Sequence, residues 1–163
     1  MDDLPRELVD RAVVPFYLQM MGEAALTEGR PLLPEIARVA EDTTPREVAA
    51  LLGQRWRPCV MGAWLSVRYR GRCIEDALLA SIGKPRGQES LTAAPLAMAA
   101  CLVVGDRAVS ALLAYVTQEL GPHGPIASAL EHLGAPVPGA RASLRDREMF
   151  EQMLQLGQEL QSL

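Results

Sequence analysis

The chain has 163 residues, of which 49 % are hydrophobic and only 4 % aromatic, and its formal net charge is −4. This length suits one domain with a sizeable core, and the abundance of alanine and leucine favours helices over strands, so we expect residues 1–163 to form a single all-helical domain. The net negative charge disfavours general attraction to nucleic acid or to anionic membranes.

The first predicted elements are short helices separated by proline. Apolar residues recur at helical spacing from residue 4 to residue 21. Pro15 divides this stretch, because proline lacks a backbone donor and clashes with the preceding turn. We therefore expect a helix up to about Val13 and a restart at Pro15. The next helix is expected to open at Pro31 or Pro34.

The clearest helix start lies at Thr44. Thr44 is placed as an N-cap, Pro45 occupies the first helical position, and Glu47 follows three residues after the cap, which together predict a capping box. The next helix is predicted over residues 56–70, because Trp56, Trp64 and other apolar residues fall on one helical face. Gly71 is expected to end it.

A sequence skeleton occurs twice in the second half of the chain. The matched positions are 34 residues apart. They are Gly71 with Gly105, Ile74 with Ala108, and Ala77-Leu78-Leu79 with Ala111-Leu112-Leu113. Each copy predicts a helix, a turn at the glycine and a second helix. Because such a helix pair cannot bury its apolar face alone, it is expected to stack on its neighbours.

The C-terminal third is predicted to contain a linker and two helices. Two prolines and two glycines in Gly121-Pro-His-Gly-Pro125 predict a stiff, non-helical linker. A short helix over residues 126–133 follows and closes at Gly134. The last helix is predicted over residues 144–163, with an apolar stripe that would let it seal the end of a stack.

The segment Leu102-Val-Val-Gly-Asp106, followed by a helix rich in alanine and leucine, resembles HEAT-type repeats. The resemblance implies an all-α fold built as a short right-handed stack of antiparallel helix pairs, a HEAT-like α-solenoid with a C-terminal capping helix. It implies an architecture and no activity.

No sequence motif indicates an enzyme. His123 and His132 have no carboxylate or cysteine at metal-ligand spacing, and the chain has no P-loop, G-x-S-x-G or H-E-x-x-H pattern. The adjacent carboxylates Glu75 and Asp76 open a predicted helix, where negative charge is favoured by the helix dipole. We therefore expect no catalytic residues, no metal ligands and no cofactor.

The strongest functional signal is a cluster of aromatic and basic residues. Residues 51–90 carry seven basic and three acidic side chains, a net charge of +4 within an acidic protein. Tryptophan and arginine dominate binding hot spots, and guanidinium groups bind carboxylates through paired hydrogen bonds. The candidate binding residues are Trp56, Arg57, Trp64, Arg68, Tyr69 and Arg72. Spacings of seven and four would place Arg57, Trp64 and Arg68 near one helical face.

A structural interpretation of the same cluster remains open. The tryptophans would then anchor the core, while the arginines would be solvated or would pair with the acidic first third of the chain.

A second resemblance concerns Val13-Val-Pro-Phe-Tyr-Leu18, Trp56-Arg57 and Ala63-Trp64-Leu65, which are similar to an uncharacterised family of small proteins from GC-rich bacteria. This resemblance implies a bacterial origin and a helical fold.

Two function classes follow from the sequence. The first is a non-enzymatic scaffold that binds another, acidic protein, as an adaptor or as a neutralising partner of a toxin or effector. The second is a nucleic-acid-directed HEAT-like protein, because some HEAT-like proteins, including a family of DNA glycosylases, hold DNA on a basic face. A homo-oligomer is compatible with the first class.

The sequence also predicts a compartment. The chain starts with acidic residues and lacks the basic region of a secretion signal. We find no uninterrupted apolar run near the roughly 20 residues that span a bilayer. We therefore expect a cytoplasmic protein that does not bind membranes.

Overall fold

The computed structural model describes residues 4–85, 91–137, 139 and 142–163. Within these residues the fold is all-α and contains no strand, as the composition predicts. The helices are α1 Arg6–Ala12, α2 Ala24–Glu28, α3 Leu33–Glu41, α4 Pro45–Gly53, α5 Arg57–Ser66, α6 Arg72–Ile82, α7 Ala93–Ala99, α8 Val109–Thr117, α9 His123–His132 and α10 Leu144–Ser162.

Two helices begin with a capping box. The Thr44 hydroxyl accepts a hydrogen bond from the Glu47 amide at 3.3 Å, and the Glu47 carboxylate accepts one from the Thr44 amide at 2.8 Å, which confirms the predicted start of α4. Ser143 and Asp146 form the same arrangement at the start of α10. In both cases orphan amide groups of the first turn gain partners within four residues, so these starts depend on local sequence alone.

Three sequence predictions of local structure are wrong. Residues 13–19 form hydrogen-bonded turns, so no helix restarts at Pro15, and the next helix, α2, begins at Ala24. Helix α5 ends at Ser66 rather than near Arg70, and residues 67–70 form a turn that leads into Gly71, where φ is +116°. The predicted linker Gly121–Pro125 instead contains the start of α9 at His123. Pro125 lies in the first turn of α9, where its missing amide hydrogen would have no helical partner and costs nothing.

The two copies of the repeated skeleton match in core burial and in the positive φ of their glycines, but differ in helix type around the glycine. Both glycines have a positive φ, +116° at Gly71 and +64° at Gly105, which allows each to turn the chain into the following helix. Leu78 and Leu112 are both fully buried, and the pairs on either side of them are both half-buried. Around Gly105 the helix is less regular, because a π-helical segment, Ala100–Val104, precedes it and a 3-10 turn, Gly105–Ala108, follows it.

The helices of the two copies lie beside their counterparts. Helix α5 packs against α7 and α6 packs against α8, while α4 packs against both α5 and α6. Buried residues from all of these helices belong to one continuous hydrophobic cluster. Burial at matched positions therefore follows from contacts between copies as well as from each copy's own helices.

The last helix contacts elements from both halves of the chain. Helix α10 packs against α2 and α3 from the first part of the chain and against α7 and α9 from the second part. Gly157 marks its closest approach, because a Cβ atom at this position would lie 2.5 Å from the Met98 sulfur and 2.6 Å from Leu102 Cδ1. Of the predicted stripe Phe150, Met153, Leu154, Leu160 and Leu163, the first four residues are buried, whereas Leu163 is exposed at the end of the helix.

The sequence analysis found no apolar run long enough to span a bilayer, but one helical stretch of the structure meets that criterion. The consecutive helical residues Ala93–Thr117 are long and apolar enough to cross a bilayer by length and composition. Such a stretch is weak evidence for a membrane span, because core helices pass the same test, and 44 % of its most apolar window is buried inside the fold. The chain also turns within it, at Gly105, beside the charged residues Asp106 and Arg107.

The equivalence of the two copies predicts equal energetic costs for matched core truncations. Leu78→Ala and Leu112→Ala should each lower the free energy of unfolding by about 2 to 5 kcal/mol, because both side chains are fully buried. Urea unfolding followed by circular dichroism measures both values. The half-buried neighbour in Leu79→Ala serves as the control and should lose less. If one of the two core variants unfolds at the wild-type midpoint, the copies are not equivalent.

Candidate functional site

Trp64 organises the segment that precedes α2. Its side chain is fully buried, and the indole N–H donates a hydrogen bond to the Met20 carbonyl oxygen at 2.7 Å. Residues 13–20 form hydrogen-bonded turns. The side chains of Phe16 and Met20 are buried in the same core, so this segment packs against the protein interior. Trp64 is therefore not available to a partner, and its place among the candidate binding residues is a correction: it holds a neighbouring segment in position.

The segment held by Trp64 carries Tyr17 to the start of α5. The Arg57 guanidinium lies over two aromatic rings, with its Cζ atom 4.7 Å from the Tyr17 ring centroid and 4.3 Å from the Trp56 ring centroid. Cation–π contacts of this kind contribute roughly 0.5 to 1 kcal/mol each when partly exposed. The two contacts help to hold the guanidinium in position.

Trp56 has an unfavourable backbone conformation and an exposed side chain. Its φ is +54° and its ψ is −122°, and it immediately precedes the first residue of α5. A bulky residue in a sparsely populated backbone region costs about 1 to 3 kcal/mol. Its side chain is nevertheless 52 % exposed, so burial of the indole does not offset this cost.

The positive charges beside Trp56 are not neutralised within the fold. Arg57 is half-buried and Arg55 is exposed, and neither pairs with a carboxylate among residues 4–85, 91–137, 139 and 142–163. The first turn of α5 contains no acidic residue, although the N-terminal end of a helix favours negative charge. Gln54, Arg55, Trp56, Arg57 and Pro58 line a cleft of about 430 Å³. The site therefore has a positive potential without an internal counter-charge.

The segment that contains Tyr17, like Trp56, exposes apolar side chains. Of the six large hydrophobic side chains that are exposed in the described part of the chain, three are Trp56, Val14 and Leu18, and the latter two flank Tyr17 in sequence. A fourth, Leu91, lies against Gly22, because a Cβ atom on Gly22 would be 3.2 Å from its side chain. We call the set Val14, Tyr17, Leu18, Arg55, Trp56 and Arg57 the Trp56 surface.

Arg68 is part of the internal structure. One of its terminal nitrogens donates to the carbonyl oxygens of Leu160 and Gln161, each at 3.1 Å, and the other lies 3.9 Å from the Glu41 carboxylate. Its side chain is only 18 % exposed. A cation at the C-terminal end of α10 satisfies carbonyl groups that have no helical partner. Arg68 therefore joins α10 to the turn after α5.

Tyr69 is also committed to internal contacts. Its hydroxyl donates to the carbonyl oxygens of Ala40 and Thr43, at the end of α3. Burial raises the pKa of Tyr69, with a smaller contribution from the charge of Glu47, so the phenol stays protonated as a donor. Arg68 and Tyr69 follow the pattern expected if the cluster is structural.

The six candidate residues do not form one face. Arg57 starts α5 and Arg68 lies two residues after it ends, so at 1.5 Å of rise per residue the two backbones are separated by roughly 15 Å. Arg72 is exposed at the start of α6, beyond the turn that contains Arg68. Only Trp56 and Arg57 remain together at the surface, and the structure adds Tyr17, which the sequence analysis missed.

A metal site is not evident in the part of the chain that the structure describes. Within the described ranges, no three or more histidine, cysteine, aspartate or glutamate side chains are grouped closely enough to hold a metal ion. The cysteines in these ranges are free thiols: Cys59 is buried, Cys101 is half-buried and Cys73 is exposed. Burial raises the pKa of the Cys101 thiol to about 12.

We expect Arg68 to contribute to stability rather than to a binding surface. Arg68→Met keeps an unbranched apolar stem but removes the donors to the end of α10, which should lower the free energy of unfolding by about 1.5 to 3 kcal/mol. Arg70→Met is the matched control, because Arg70 is exposed and forms no ion pair with any described residue. Urea unfolding measures both. Equal midpoints for the two variants would contradict the assigned role.

The capping box of α4 predicts a pH dependence. The hydrogen bond from the Thr44 amide lowers the pKa of Glu47, assisted by Arg11, whose guanidinium lies 2.7 Å from the carboxylate, while burial opposes this shift. A lowered pKa stabilises the fold above the ordinary carboxyl pKa and loses this contribution as pH falls through the folded value. Glu47→Gln should therefore be less stable than wild type at pH 7, and the difference should shrink between pH 5 and pH 3. Urea midpoints at these pH values test it, and a constant difference would contradict it.

Comparisons of the chain with models of protein families, with curated proteins and with solved structures find no match.

Proposed function

We propose that the protein is a non-enzymatic helical scaffold that binds another protein through the Trp56 surface. The observation that carries the proposal is Trp56 itself: an exposed tryptophan that occupies an unfavourable backbone conformation and stacks on an arginine without an acidic partner. Backbone strain of this kind concentrates at functional sites, and tryptophan and arginine are the residues most enriched in binding hot spots.

A HEAT-like stack is the architecture that we propose for this scaffold. The contacts of α5 with α7 and of α6 with α8 support it, because matched helices of adjacent repeats lie side by side in such stacks. The equal burial of Leu78 and Leu112 supports it as well. The Trp56 surface lies at the start of the first helix of the first copy.

A protein partner fits this surface better than nucleic acid does. The flanking residues Val14 and Leu18 are apolar, whereas a groove that follows a phosphate backbone is lined by basic side chains. The Arg57 guanidinium already contacts two aromatic rings, so less of its surface is free to stack on bases. We further propose that the partner is acidic and that the protein works in the cytoplasm, without a cofactor.

Photo-cross-linking tests where the partner binds. A photoreactive phenylalanine analogue replaces Leu18 in one variant and Leu144 in another, because both leucines are exposed, by 54 % and 69 %. In lysate of the source organism, we expect a discrete cross-linked product from position 18 and not from position 144. Equal products from both positions, or none from position 18, would contradict the proposed surface.

Trp56→Gly separates binding from folding in the same assay. Glycine adopts a positive φ without penalty, which offsets its greater freedom in the unfolded chain, about 0.5 to 1 kcal/mol, and the lost contact with Arg57. We therefore expect the free energy of unfolding to change by less than about 1 kcal/mol while the cross-linked product disappears. A product of wild-type intensity would show that Trp56 does not contribute to binding.

A further inference from the structure

The Arg57 guanidinium is held in place with its hydrogen-bonding capacity unused. It contacts the Tyr17 and Trp56 rings, and it makes no hydrogen bond or ion pair with any residue that the structure describes. Its Nε atom is buried without a partner, whereas its two terminal nitrogens are not buried. Contacts with aromatic rings do not use N–H donors, so the donors of the terminal nitrogens remain available.

We infer that the Trp56 surface is a carboxylate-recognition site, in which an aspartate or glutamate side chain of the partner binds in the plane of the Arg57 guanidinium and adjacent apolar side chains of the partner pack on Val14 and Leu18. This inference rests on the proposed function and specifies the chemistry of the partner.

Three features favour a carboxylate. A planar pair of oxygens matches the fork of guanidinium donors, and a charged acceptor forms stronger hydrogen bonds than a neutral one. Contact with two rings restricts the guanidinium before binding, so less conformational entropy is lost when the complex forms. Arg55 and the N-terminal end of α5 add positive potential, and the first turn of α5 supplies no acidic residue to compensate it.

The flanking surface favours a protein over a free anion or a phosphate polymer. Val14, Leu18 and Trp56 are more than half exposed. A small hydrated anion would not bury their apolar surface, whereas apolar side chains of a protein would. The cleft of about 430 Å³ beside Trp56 is large enough for a side chain. An acidic residue flanked by apolar residues is complementary to both parts of the surface.

Fluorescence anisotropy with defined probes tests the inference. The probe is a fluorescein-labelled, C-terminally amidated peptide of twelve alternating leucine and glutamate residues, and its matched control contains glutamine in place of glutamate. We expect the glutamate peptide to bind and the glutamine peptide to bind at least tenfold more weakly. No binding of the glutamate peptide, or equal binding of both peptides, would overturn the inference.

Protein variants separate a shaped site from general positive charge. Arg57→Lys keeps the charge but loses the planar fork, so it should weaken binding of the glutamate peptide at least tenfold. Arg70→Lys makes the same change at an exposed arginine outside the Trp56 surface and should leave binding unchanged. Tyr17→Leu removes one ring of the stack and should weaken binding several-fold. Wild-type affinity in Arg57→Lys would overturn the inference.

A nucleic-acid probe and the cross-linking assay complete the test. Single-stranded dT12 labelled with the same dye should bind more weakly than the glutamate peptide, and tighter binding would overturn the inference in favour of nucleic acid. If the cross-linked product at position 18 is lost in Trp56→Gly but persists in Arg57→Lys, the proposed function holds and the carboxylate inference fails. If the product is absent from the wild-type background, the proposed function itself fails.

Discussion

The hydrogen bond from the Trp64 indole to the Met20 carbonyl oxygen connects the core to the surface of this protein. Trp64 lies in the last turn of α5, and the bond fixes a segment of turns that has no regular secondary structure of its own. A buried carbonyl group without a donor is costly, so the segment has one favoured position against α5. Tyr17 belongs to that segment, and the stack with Arg57 follows from its position.

The arginines near α5 show how position decides the role of a residue type. Arg68 donates hydrogen bonds to the last carbonyl groups of α10, and Arg11 donates one to the Glu47 carboxylate. Arg57 is half-buried as well, but it contacts two rings and no acceptor among the described residues. The net charge of the segment therefore says little about binding. The informative quantity is the number of donors that remain without an acceptor in the folded chain.

The helix starts that have side-chain caps can be predicted from the sequence, because the capping hydrogen bonds join residues only three positions apart. Thr44 and Glu47 satisfy each other's backbone groups across three residues, and the same rule applied to Ser143 and Asp146 finds the start of α10. The all-α class also follows from the sequence, since composition and helical spacing both favour helices. The site was predictable in part: Trp56 and Arg57 were found as neighbours in sequence, and the rule for hot-spot residue types applies to them.

Other features depended on contacts between residues far apart in the chain. Helix α5 ends at Ser66, and in the turn after it Arg68 and Tyr69 donate hydrogen bonds to α10 and to the end of α3. No local sequence signal predicts this helix end. Trp64 and Trp56 are the same residue type eight positions apart, yet one is fully buried and the other is half exposed. Helical spacing by itself cannot distinguish them, because burial is decided by what packs on each side of a helix. The sequence by itself determined the helical class, the capped helix starts and the matched positions of the two copies. The tertiary structure decided that Arg57 keeps donors without an acceptor and brought Tyr17 to it, because both depend on residues far apart in the chain.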